Sequence, residues 1–68
     1  MKIHVNAYPQ LRNLCWNRPE NAVVDGPEAL GLYENNWRFV EPEKIEREER
    51  LLLDTLVARF GNGVFFPA

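Results

Sequence analysis

Two residues in this chain carry the side chains that most often do nucleophilic or acid–base chemistry near neutral pH: His4, the only histidine, and Cys15, the only cysteine. Brought together they could make an imidazole-activated thiolate, because thiol chemistry needs a neighbouring base or cation. Their sequence settings argue otherwise. Cys15 falls at helical spacing from Leu11 and Leu14, where a small thiol serves as an apolar packing group. His4 alternates with Ile3 and Val5, which places it on the solvent side of a strand. A zinc site would have to combine both with carboxylates, and no Cys-x-x-Cys or His-x-x-x-His spacing occurs. Gly61-Asn62-Gly63 has the composition of a phosphate loop, but it follows a helical segment instead of preceding one, so the dipole end is wrong for an anion. The chain also lacks a Gly-x-Ser-x-Gly elbow and a dinucleotide fingerprint. The expectation is a protein without catalytic residues, metal or cofactor, and with no small-molecule substrate in view.

Carboxylates and aromatics are the other groups with chemical potential. Glu46, Glu48 and Glu49 alternate with Lys44, Arg47 and Arg50, the pattern of a solvated, self-neutralising helix face. Glu49 breaks that pattern, because it projects into an apolar arc between Ile45 and Leu52. Either the first turns overhang the core and leave it wet, or it meets a cation such as Arg12 or Arg38; the wet arrangement is the expectation. Trp16, Trp37 and Phe39, with Arg18 and Arg38 beside them, mix aromatics and cations as single-strand nucleic-acid surfaces do. In a domain this small, tryptophan more often fills the core. Trp37 lies on its helix's apolar arc, whereas Trp16 points away from its stripe and divides almost evenly between core and surface.

The elements that must position these groups follow from periodicity. Lys2-Ile3-His4-Val5-Asn6 alternates as a short strand. Pro9 opens a short helix through Cys15, stopped at Asn17-Arg18 because the residue before Pro19 avoids the α region. Ala22-Val23-Val24 is β-prone. Asp25-Gly26-Pro27-Glu28 has the form of a capping box. The helix it opens carries Ala29, Leu30, Tyr33, Trp37 and Val40 within an arc of about 100°. Gly31 and Asn35-Asn36 weaken its last turn, and Glu41 before Pro42 ends it. The longest helix is expected over about 42–60, with Glu43–Arg47 and Glu46–Arg50 as i,i+4 pairs and Gly61 as its stop. Val64-Phe65-Phe66 reads as a final extended run. The fold class is therefore α+β: a small single domain with two to three helices and two or three short strands.

Composition bounds the rest. Sixty-eight residues, 46% of them hydrophobic and 12% aromatic, form one folded domain with a thin stability margin. One cysteine excludes an intrachain disulfide. Met1–Asn6 lacks the apolar core of a signal peptide, and no stretch approaches the roughly 20 apolar residues of a membrane helix. A cytoplasmic protein with no membrane association is the expectation. Net charge is −2, yet residues 1–19 hold Lys2, Arg12 and Arg18 and no acid.

Surplus apolar residues carry the functional expectation. Leu51 lies well outside the arc of the long helix, and Leu32 lies off the stripe of its own. Phe65 and Phe66 are adjacent, so an extended backbone turns one ring outward. Together with Trp16 these are the candidate partner-binding residues, and contiguous exposed apolar surface marks an interaction site. A protein–protein interaction or regulatory module is the reading, either a homodimer or the partner of a larger protein. The alternative is a nucleic-acid binder using Lys2, Arg12, Arg18 and Arg38, disfavoured by the overall acidity and by the acidic start of the long helix.

Overall fold

The computed structural model describes all 68 residues, Met1–Ala68. Two three-residue strands, β1 (Lys2–His4) and β2 (Val23–Asp25), pair antiparallel with Ile3 opposite Val24. Three helices surround them: α1 (Pro9–Leu14), α2 (Gly26–Asn35) and α3 (Arg47–Phe60). Short 3-10 turns fill the joints at Val5–Ala7, Trp37–Phe39 and Pro42–Lys44. This is the small α+β architecture expected.

The strands need only their central residues for the core. Ile3 and Val24 are buried while their neighbours face solvent, the period-2 alternation of a one-sided sheet. The ladder gains one more bond where the Val5 N–H donates to the Ala22 carbonyl at 3.1 Å. The chain then tightens into the Val5–Ala7 turn, closed by the Tyr8 N–H on the Val5 carbonyl at 3.1 Å. Tyr8, ahead of Pro9, is extended at φ −126°, ψ 104°.

Asp25 caps α2 as its spacing predicts: its carboxylate accepts the Glu28 N–H at 2.8 Å. Glu28 does not complete the reciprocal half of the box, because its own carboxylate accepts from Arg18 Nη1 at 2.8 Å. Gly26 is buried against Phe60, and a methyl group there would collide with that ring. Leu30 and Tyr33 turn one face of α2 toward Leu52, Leu53 and Leu56 of α3, all in one buried cluster. The helix ends earlier than its apolar arc suggests. Asn36 Nδ2 donates to the Leu32 carbonyl at 2.9 Å, satisfying a terminal acceptor, and Trp37–Phe39 continues as a 3-10 turn.

The long helix also starts later than expected, at Arg47 instead of Pro42. Pro42–Lys44 is a separate turn, and Ile45 and Glu46 are extended. Two tertiary demands override the helix propensity of this charged stretch: the Glu41 N–H is claimed by the Gln10 side chain, and half-buried Ile45 packs on the core. The Glu43–Arg47 pair therefore does not form, nor does an ion pair between Glu46 and Arg50. The two ion pairs of the chain are Arg18–Glu28 and Lys44–Glu41.

Gly61 closes α3, with its N–H on the Val57 carbonyl at 3.0 Å. Its need for glycine is close approach, since a Cβ would stand 2.7 Å from the Val64 carbonyl oxygen; positive φ falls on Asn62 and Gly63 instead. Residues 64–66 add no strand to the sheet. The tail lies against α2, where Glu34 accepts the Phe66 N–H through its carboxylate at 2.9 Å and the Ala68 N–H through its backbone carbonyl at 2.8 Å. Phe65 meets Trp37 edge to face, ring centroids 4.9 Å apart. No helix is long and apolar enough to cross a membrane.

Candidate functional site

His4 faces solvent from β1, while Cys15 is buried beside Leu11 at the end of α1. Burial pushes the Cys15 thiol up, only partly offset by the Arg18 charge, so little thiolate is present at neutral pH. No three His, Cys, Asp or Glu side chains cluster as metal ligands would.

The most organised polar feature surrounds Glu49, which is 1% exposed. Its two carboxylate oxygens accept the Gln10 N–H at 3.0 Å, the Leu11 N–H at 2.9 Å and the Tyr33 hydroxyl at 2.6 Å. The wet arrangement expected for Glu49 is overturned, and so is a cation partner. The physical reason lies at the start of α1. Tyr8 at its N-cap has no side-chain oxygen able to cap it, and Pro9 at N1 leaves the next two amide protons without an intrahelical acceptor. Glu49 supplies both acceptors from 39 residues away in sequence. A negative charge at a helix N-terminus is also favoured by the dipole. Burial and the bond to Glu49 push the Tyr33 hydroxyl far above its ordinary range, so it stays protonated and remains a donor.

Gln10 extends this network outward. It is 5% exposed, and its side-chain oxygen accepts the Glu41 N–H at 3.0 Å. Gln10 thus ties α1 to the segment that follows the Trp37–Phe39 turn. Between these two elements lies an open cleft of about 250 Å³, lined by Asn13, Leu14 and Trp16 on one side and Asn36 and Phe39 on the other. Trp16 is 84% exposed and Phe39 62%, two exposed aromatic rings lining one cleft. The Arg38 guanidinium sits over the Phe39 ring, 4.9 Å from its centroid.

The remaining candidates are distributed over the surface. Leu51 is 55% exposed in the second turn of α3, and Phe66 is 75% exposed in the tail. Phe65 turns inward, so the adjacent phenylalanines do divide between core and solvent. Leu32 is half-buried against the core. Lys2, Arg12 and Arg38 face solvent, whereas Arg18 is committed to Glu28. Asn13, Leu14 and Asn36 were not singled out as binding residues by sequence reasoning, and Phe39 only as part of the aromatic and cation mixture around Trp16 and Trp37. For Phe39 a signal existed, since 100° per residue puts it outside the arc of Ala29, Tyr33 and Val40. Comparison with protein-family models finds no match, and searches of curated proteins and of solved structures find no significant one either.

Proposed function

We propose that the protein is a non-enzymatic binding module that docks a protein partner through the Trp16–Phe39 cleft. The observation that carries this reading is the exposure of Trp16. A chain with a thin core has two tryptophans and leaves one of them 84% exposed beside a second exposed ring. Tryptophan is among the commonest anchors of protein interfaces, and truncating such an anchor costs about 2 kcal/mol or more. The rigid seating of Gln10 supports the same reading, because a preformed cleft costs less ordering on binding.

The test begins with a partner isolated from the native host and identified by mass spectrometry. Reconstituted from pure components, it binds the wild type and loses about thirtyfold or more in affinity with Trp16→Ser. Leu51→Glu, on α3, leaves that affinity unchanged. The reading fails if Trp16→Ser binds as well as wild type, and loss confined to Leu51→Glu moves the interface to α3. Light scattering on the protein alone determines whether the partner is a second copy.

A second reading, single-stranded nucleic acid, is favoured by the Arg38–Phe39 stack next to an exposed indole. The net charge of −2 and the Arg18–Glu28 pair weigh against it. A gel shift with oligothymidylate at low and physiological salt separates the two readings.

A further inference from the structure

The charge distribution around the cleft narrows what it can hold, given that it docks a protein at all. Leu14, Trp16 and Phe39 form its apolar walls, and neither asparagine carries charge. Arg12 is exposed on α1, adjacent in sequence to Asn13 of the lining, and Arg38 reaches over Phe39. Neither arginine belongs to an ion pair, because Glu28 is taken by Arg18 and Glu41 by Lys44. Glu34, the acid nearest Asn36 in sequence, is occupied by the Phe66 N–H. No acid occurs in residues 1–19 or 35–40, the segments that supply every lining residue. The stretches of an acidic protein that line this largely apolar slot, residues 12–16 and 36–39, thus carry two unpaired arginines and no acid.

Size points the same way. A cavity of about 150 Å³ accommodates benzene. The cleft, at about 250 Å³, has room for one aromatic or large aliphatic side chain and falls below the usual range of small-molecule pockets.

We infer that the cleft takes a single large apolar side chain from a partner protein, flanked in the partner's sequence by aspartate or glutamate. The ring enters between Trp16 and Phe39, and the flanking carboxylates meet Arg12 and Arg38. The two arginine charges act mainly on encounter and selectivity and weaken with salt, while the apolar insertion supplies retention.

The inference rests on the docking role proposed above, and the experiment keeps the two separable. The probes are two capped pentapeptides, Gly-Glu-Phe-Glu-Gly and Gly-Lys-Phe-Lys-Gly, with oligothymidylate as a third. Each is titrated into ¹⁵N-labelled protein at low ionic strength, following the indole N–H of Trp16 with that of Trp37 as reference. The acidic peptide should move the Trp16 signal and bind about tenfold more tightly than the basic one, the size expected from reversing two exposed charge pairs. In the double variant Arg12→Gln/Arg38→Gln the two peptides should come within about twofold of each other, since the pairs are removed. Equal affinities for wild type overturn the acidic preference and leave the docking cleft standing. A Trp16 signal unmoved by both peptides overturns the cleft as well. Tighter binding of oligothymidylate than of either peptide replaces the inference with the nucleic-acid reading.

Discussion

Replacing Glu49 with glutamine removes one oxygen and one charge from a site where three donors converge. Glutamine can aim its single carbonyl oxygen at the position that now accepts from both the Leu11 N–H and the Tyr33 hydroxyl. Its amide nitrogen then faces the Gln10 N–H, donor against donor, where the carboxylate oxygen now accepts at 3.0 Å. A lost hydrogen bond to a charged group is worth about 1.5–3 kcal/mol, and the orphaned buried N–H adds a comparable penalty, so a net loss of about 3 kcal/mol is expected. In a domain of this size each kcal/mol lowers the melting temperature by about 4–8 °C, giving a drop of about 12–24 °C. Urea unfolding followed by circular dichroism measures the free energy directly. Tyr33→Phe, which removes one donor and keeps the ring, should cost less, about 1.5 kcal/mol. The reasoning is refuted if Glu49→Gln melts within a degree or two of wild type, for then the carboxylate is solvated in solution.

Three further outcomes follow from other parts of the structure. Asp25→Ala uncaps α2 at the Glu28 N–H and should destabilise the protein by about 0.5–2 kcal/mol; an unchanged melting curve would place the start of that helix elsewhere. Leu51→Glu changes a residue 55% exposed and should alter stability by no more than about 0.5 kcal/mol, whereas a large loss would make Leu51 part of the core. Burial raises both Cys15 and Tyr33 above their ordinary values of 9.0 and 10.0, so above about pH 9 the unfolded chain releases protons that the folded chain keeps. Stability that is whole below that pH should fall as pH rises further, with Cys15→Ala removing the earlier part of the decline; a flat urea midpoint between pH 8 and 11 contradicts it.

Local signals in the sequence carried the elements, and long-range ones were opaque. Alternation around Ile3, the Asp25 cap and the apolar face of Leu52, Leu53 and Leu56 each depend on neighbours a few residues away, and each appears in the structure, although Phe60 at the end of the expected arc stays exposed. The start of α3 was misplaced because Glu41 and Ile45 answer to α1 and the core instead of to their own helix. Glu49 was visible as an anomaly, an acid inside an apolar arc. Its complement was visible too: a helix beginning at Pro9 with nothing to cap it. Matching the two requires knowing that residues 10 and 49 meet, which no periodicity supplies. The cleft was hidden for the same reason. Trp16 reads as ambiguous, and its pairing with Phe39 is invisible until the Trp37–Phe39 turn is placed across from α1.

The distance between Glu49 and the helix it caps has a consequence for the order of folding. Six residues are too few for a helix to persist alone in water, because nucleation fixes several residues' dihedrals for a single hydrogen bond and few further bonds follow. The amides that open α1 therefore gain their acceptor only when α3 brings its carboxylate across a loop of some 38 residues. On a ribosome, that cap is missing until residue 49 has emerged. A fragment that stops at residue 45 contains all of α1 and the α2 face it packs on, yet lacks the carboxylate that satisfies the helix's first free amides.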